Sequence, residues 1–269
     1  MIIKNIHLKD FYDLTGDPIL EAWIVENQDS GFPMKKGIIV VPGGGYRFLS
    51  KREGDPIALY FSLNNYVTFI LHYSINVTYP EPQLELLAAI DYVRKHSEEL
   101  GLIKDKLSAI GFSAGGHLVA SSAYVYKQKE LQEKLKVKEE DIKLNAVVLA
   151  YPVILGNKNT NQNTIKTIAG GNKELIDLLS VDEHITNDYP PTFVWSTEKD
   201  DAVPILNTKL LDEELTKHNV KHQTVIFPKG IHGLALNMEI TAQGPWKHVP
   251  GVEKWMEYCL QFLDEVYKD

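Results

Sequence analysis

The sequence predicts an α/β fold in which a mainly parallel central sheet carries helices on both faces and an antiparallel edge at its N-terminal end. Two observations carry the prediction. Short apolar runs rich in β-branched and aromatic residues alternate with segments of helical spacing. The central runs, 38–41 and 147–150, are apolar throughout, as strands covered on both faces require.

In chain order, the expected strands are residues 19–25, 37–41, 66–73, 107–112, 146–151, 192–196 and 223–227, each bounded by turn-forming residues. The two short runs before Gly37 are joined by Thr15-Gly16-Asp17-Pro18, a turn-prone tetrapeptide, and form the antiparallel edge. Between strands, Leu84, Leu87, Ala88, Ile90 and Val93 recur at helical spacing behind Pro80 and Pro82. Right-handed crossovers are expected to join the parallel strands. Residues 126–141 are charge-rich and read as a solvated helix or loop. Residues 156–167, rich in Asn and Thr, read as a polar loop leading into a small cap insertion around 155–190.

With 269 residues, 44% of them hydrophobic, the chain is long enough for one well-buried core. The halves do not differ in composition and no Pro/Gly/Ser-rich linker divides them, so one domain spanning 1–269 is expected. A formal charge of -8 repels nucleic acid and anionic membrane, which leaves a small molecule as the expected partner. Residues 1–13 lack the apolar core of a secretion signal and no run has the length of a membrane span, so a cytoplasmic location is expected. The single cysteine, Cys259, falls on the apolar face of a C-terminal helical segment with Trp255, Met256, Phe262 and Leu263, and reads as a buried thiol. There is no H-E-x-x-H motif and no Cys/His cluster, so neither a metal nor another cofactor is expected.

Gly111-Phe112-Ser113-Ala114-Gly115 fits G-x-S-x-G, and its surroundings fit too: an apolar run leads in and a helix-forming segment, 116–125, leads out. The pattern is that expected of a nucleophile elbow, a sharp strand-to-helix turn that lifts the serine oxygen clear of the backbone. The helix behind it directs its N-terminal amides and dipole to the spot where negative charge develops in acyl transfer. Val41-Pro42-Gly43-Gly44-Gly45-Tyr46 follows the run 37–41, where a fold with such an elbow completes its oxyanion hole. The amides of Gly44, Gly45 and Ala114 are the candidate donors. A phosphate-binding loop is disfavoured, because the glycines are followed by neither Lys-Ser/Thr nor the G-x-G-x-x-G spacing. His117, on the helix after Ser113, reads as a packing or hydrogen-bonding residue.

In a fold with such an elbow the acid and then the histidine follow the serine along the chain. The loop after 192–196 offers two adjacent carboxylates, Asp200 and Asp201, and the loop after 223–227 carries His232-Gly233. His232 is suited to take the Ser113 proton and return it to the leaving alcohol, with a carboxylate holding its tautomer. Spacing alone leaves the two aspartates open.

Together these residues resemble the bacterial acetyl-esterase and acetyl-xylan-esterase-like branch of the α/β hydrolases. The resemblance covers most of the chain and rests on Pro42-Gly43-Gly44-Gly45-Tyr46, Arg52-Glu53-Gly54, Tyr79-Pro80, Gly111 to His117, Pro190-Pro191-Thr192-Phe193, Asp200-x-x-Val203-Pro204 and His232-Gly233. In that branch the aspartate three positions before Val-Pro supplies the acid, which selects Asp200. The branch has Pro-Gly-Gly-Gly-Tyr where the hormone-sensitive-lipase branch has His-Gly-Gly-Gly, so Pro42 conforms. The resemblance implies deacetylation of acetylated sugars or short oligosaccharides. Tyr46, Arg47 and Tyr79 are candidate substrate-binding residues, and Trp246 and His248 are candidates to shape the alcohol side.

Overall fold

The apolar runs assemble into one twisted sheet in the computed structural model, which describes residues 1–24, 33–156 and 159–268. Its strands are β1 (Ile2–His7), β2 (Ile19–Ile24), β3 (Lys35–Val41), β4 (Tyr66–His72), β5 (Leu102–Phe112), β6 (Ala146–Ala150), β7 (Thr192–Thr197) and β8 (His222–Phe227). They lie in the order β1-β2-β4-β3-β5-β6-β7-β8. The pairs from β4 through β8 are parallel, whereas β2 is antiparallel to both β1 and β4. The expected antiparallel edge is therefore present. Val25, the last residue of the expected strand 19–25, lies outside the described residues.

The helices are α1 (Asp55–Leu63), α2 (Glu81–Lys95), α3 (Ala114–Val125), α4 (Lys129–Leu135), α5 (Gln162–Ala169), α6 (Lys173–Leu178), α7 (Leu206–Lys217) and α8 (Trp255–Val266). Alternation along each strand divides the core in two. Ile39 and Val41 of β3, with Val147 and Leu149 of β6, pack against α2, α3 and α7. Ile38, Val40, Val148 and Ala150 face α1 and α8 instead. Each fully buried aliphatic side chain contributes about 1.5 to 3 kcal/mol by leaving water, which explains why polar residues are nearly absent from these runs. Among the described residues, no helix is long and apolar enough to cross a membrane.

β3, β4, β7 and β8 each differ from expectation by one or two residues at one end, and two further boundaries differ for a visible reason. β5 starts at Leu102 rather than Leu107, pairing Leu102 with Lys35 before a register shift between Lys35 and Gly37; the intervening Lys104, Asp105 and Lys106 conceal the strand from apolar patterning. β6 ends at Ala150 because Tyr151 turns to φ 38°. The charged stretch 126–141 contains α4, which buries Leu131, Gln132 and Leu135 and exposes Lys129, Glu130, Glu133 and Lys134. The expected polar loop 156–167 is partly helical, since α5 starts inside it where Asn161 Oδ1 accepts the Thr164 amide at 3.2 Å. Asn157 and Lys158 of that stretch lie outside the described residues.

Because β3, β5, β7 and β8 run the same way, the loops after them emerge at one edge of the sheet. Those loops carry Pro42–Gly45, Ser113, Asp200 and His232. A parallel sheet places its ligand site at this edge.

Candidate active site

Ser113 sits between β5 and α3 with φ 53° and ψ -115°, a conformation that L residues rarely adopt. The surroundings hold it there. Its amide donates to Ala150 O at 2.9 Å, and its carbonyl accepts from the amides of His117 at 3.1 Å and Val153 at 3.2 Å. The turn closes tightly only because Gly115 lacks a side chain: a Cβ there would lie 2.2 Å from Val41 O.

Ser113 Oγ is 2.8 Å from His232 Nε2, and His232 Nδ1 is 2.7 Å from Asp200 Oδ2. With Nδ1–H donating to the carboxylate, Nε2 is left to accept the serine proton. The Asp200 side chain is only 1% exposed. Its other oxygen, Oδ1, accepts the amides of Ala202 at 2.9 Å and Val203 at 2.7 Å, which fixes its orientation. Asp201 serves a different atom: its Oδ1 accepts the backbone amide of His232 at 3.0 Å. The ring of Tyr151 stands edge-on to the His232 imidazole, 4.9 Å between centroids.

Beside Ser113, the glycine loop turns through Gly44 at φ 135° and Gly45 at φ 64°. At Gly44 a Cβ would collide with Phe48 O at 1.8 Å, so a side chain is excluded by space as well as by backbone angle. The Gly43 amide is taken by Glu53 Oε2 at 2.9 Å. Among the described residues no acceptor takes the amides of Gly44, Gly45 or Ala114, which leaves them able to donate to a substrate oxygen.

A cavity of about 610 Å³ opens onto Ser113 and His232. Arg47 lines it, as do Phe48, Lys51, Arg52, Asn161, Thr164, Gln243 and Trp246. Trp246 therefore borders the cavity, with its Nε1–H donating to His232 O at 2.8 Å. His248 instead approaches Glu253 at 3.3 Å. Two of the expected substrate-binding residues are corrected. Tyr46 is fully buried beneath the glycine loop with its hydroxyl 2.8 Å from His117 Nδ1, and Tyr79 is half-buried with its hydroxyl donating to Gln128 Oε1; neither lines the cavity. His117 is buried between Tyr46 and Leu179 O, and burial lowers its pKa to about 4. It packs and hydrogen-bonds, as expected.

Sequence reasoning did not single out Glu53, Tyr151, Asn161 or Thr164 for the site. Glu53 and Tyr151 are far apart in the chain, and Asn161 and Thr164 lie in the stretch read as a polar loop. Among the described residues, no group of three or more His, Cys, Asp or Glu is arranged to hold a metal ion.

The BD-FAE family model matches residues 24–215, a span that includes Ser113 and Asp200 and stops short of His232. Endo-1,4-beta-xylanase B of Butyrivibrio fibrisolvens is 29% identical over 206 residues, covering 74% of this chain and 32% of that protein. The chain spans less than half the length of the curated relatives it matches. Among solved structures, the acetyl ester-xyloside bifunctional hydrolase from Caldicellulosiruptor lactoaceticus superposes with a TM-score of 0.83 at 28% identity, covering 98% of this chain and 96% of its own. The carboxylesterase Cest-2923 from Lactobacillus plantarum gives a TM-score of 0.87 at 26% identity, with 98% of both chains covered.

Proposed function

Because the chain belongs to the BD-FAE family, we propose that it is a serine carboxylic-ester hydrolase that removes short acyl groups, acetyl foremost, from acylated sugars or xylo-oligosaccharides through an acyl-enzyme on Ser113. The observation that carries this reading is the continuous relay from Ser113 Oγ to His232 Nε2 and from Nδ1 to Asp200 Oδ2, at 2.8 and 2.7 Å.

His232 removes the Ser113 proton as Oγ attacks the ester carbonyl carbon. The carbonyl oxygen becomes an oxyanion, held by the amides of Gly44, Gly45 and Ala114; one such donor is worth about 3 to 4 kcal/mol of barrier. The imidazolium, stabilised by Asp200, then gives its proton to the leaving alkoxide, and the acyl group stays on Oγ. A water, deprotonated by the same imidazole, attacks the acyl carbon and releases the acid, returning the proton to Ser113.

The substrate class draws support from two sources. The xylanase and the bifunctional hydrolase to which the chain is similar carry xylan- or xyloside-directed names. Arg47, Lys51, Asn161 and Gln243 give the cavity wall polar and basic positions that can meet the hydroxyls of a sugar alcohol. The segment 155–190, through Asn161 and Thr164, acts as a small cap on this alcohol side.

Hydrolysis of p-nitrophenyl acetate, butyrate and octanoate by the wild type and by Ser113→Ala tests the reading, followed by acetylated xylo-oligosaccharides. Acetate turnover is expected to lead the series and to vanish in the variant. Preference for octanoate, or activity untouched by Ser113→Ala, would overturn it.

A further inference from the structure

Glu53 is a buried carboxylate with no part in the relay from Ser113 to Asp200. Its side chain lies at the cavity wall, 4% exposed, on a 3-10 turn (Lys51–Glu53) that leads into α1. The two oxygens have different partners. Oε2 accepts the Gly43 amide at 2.9 Å, and Oε1 accepts the Tyr151 hydroxyl at 2.7 Å. The Tyr151 oxygen in turn accepts the amide of Ala235, three residues beyond His232, at 3.0 Å, while the Tyr151 ring stands against the imidazole.

A carboxylate beside an oxyanion hole opposes the charge the hole must stabilise. It is tolerable there only if its oxygens are occupied and its geometry is useful. Occupying Oε2 with the Gly43 amide turns that peptide away from the substrate and sets the plane from which Gly44 and Gly45 follow, leaving their amides free. Occupying Oε1 with Tyr151 orients the phenol so that its oxygen faces the Ala235 amide.

Resting on the esterase reading above, we infer that Glu53 is a positioning residue that holds the oxyanion loop and the His232 loop in register through Gly43 and Tyr151. It touches neither substrate nor the reacting atoms. A glutamine cannot reproduce both bonds: if its oxygen accepts from Gly43, its amide group meets a tyrosine oxygen that already accepts from Ala235, and the tyrosine proton loses its acceptor.

The test compares wild type, Glu53→Gln and Tyr151→Phe by steady-state hydrolysis of p-nitrophenyl acetate and by hydrogen–deuterium exchange of the folded proteins. For Glu53→Gln, kcat is expected to fall by about 10²-fold, the cost of small misplacements around a reacting centre, with KM little changed. Exchange should quicken in the peptides spanning 43–50 and 231–238 and stay unchanged in α2. For Tyr151→Phe, exchange should quicken at 231–238 alone, with a smaller fall in kcat. Unchanged exchange at both loops in Glu53→Gln overturns the inference whether or not the chain is an esterase, as does a Glu53→Gln kcat equal to that of an active wild type. If Glu53→Gln does not fold, Tyr151→Phe decides: quickened exchange at 231–238 supports the link, and unchanged exchange there overturns it. Failure of the esterase reading itself shows separately, as wild-type inactivity or as activity that survives Ser113→Ala.

Discussion

Asp200 and Asp201 adjoin in the chain yet hold His232 by different atoms, the first by its ring nitrogen and the second by its backbone amide. Removing the charge of each therefore has different consequences. Asp200→Asn presents an amide that cannot hold the required tautomer, and kcat is expected to drop by about 10⁴-fold. Asp201→Asn keeps a carbonyl oxygen for the His232 amide, so its loss should stay within about tenfold, the worth of one ordinary hydrogen bond. Comparable losses in the two variants would mean that the assignment of the acid is wrong. Away from the site, two buried groups respond to pH in opposite senses. Burial raises the Glu85 pKa to about 7, against hydrogen bonds from the Ser74 amide and hydroxyl that lower it. Its folded pKa exceeds its unfolded one, so the fold binds the extra proton and the stability it contributes fades as pH rises from about 4.5 to about 7. His117, lowered to about 4, works the other way, and its contribution fades as pH falls from about 6.5 to about 4. Between about pH 4.5 and 6.5 the two offset each other. Glu85→Gln matches the protonated form, so relative to wild type it should gain stability on going from pH 5 to pH 8, by roughly 3 kcal/mol at most. Parallel melting curves of the two proteins across that range would contradict the assignment.

The strands were legible because β3 and β6 are covered on both faces, a requirement that writes itself as an uninterrupted apolar run. The segment between β6 and β7 was not, since Asn161 is a helix cap and an Asn in isolation reads as a turn. The structure also reveals a tie between this segment and the start of α7. Asn207, fully buried, accepts the amides of Ile154 and Leu155 and the Thr160 hydroxyl at Oδ1, all at 3.0 Å, and donates from Nδ2 to Asn159 O and Pro204 O. Asn207→Ala strands two buried amides and is expected to cost about 3 kcal/mol in urea unfolding. It should also loosen the Asp200 loop, which leads directly into α7. A change below about 0.5 kcal/mol, the scale of surface substitutions, would show that those amides find other partners.

Across the whole molecule, the C-terminal helix braces the catalytic edge. Trp255 of α8 stacks on Trp195 of β7 with 5.0 Å between centroids, and its Nε1–H donates to Ala235 O at 2.9 Å, just beyond His232. Trp255→Ala should remove about 3 to 5 kcal/mol of stability by opening a large cavity and lower kcat in the protein that remains folded. Trp255→Phe should keep most of the packing while releasing the Ala235 carbonyl. Equal stability of wild type and Trp255→Ala would remove the bracing role. The sequence by itself determined the alternation of strand and helix, the antiparallel edge, the elbow at Ser113 and the chain order of serine, acid and histidine. The first three follow from local periodicity and backbone preference, which are properties of neighbouring residues, and the last from the order in which this fold presents its site loops. Only the tertiary structure decided that Tyr46 and Tyr79 turn away from the cavity, that Asp201 meets the backbone amide of His232, and that Glu53 joins Gly43 to Tyr151, a residue 98 positions away. Those outcomes depend on which side chains are buried together when distant loops converge at one edge of the sheet, and no local pattern encodes that convergence.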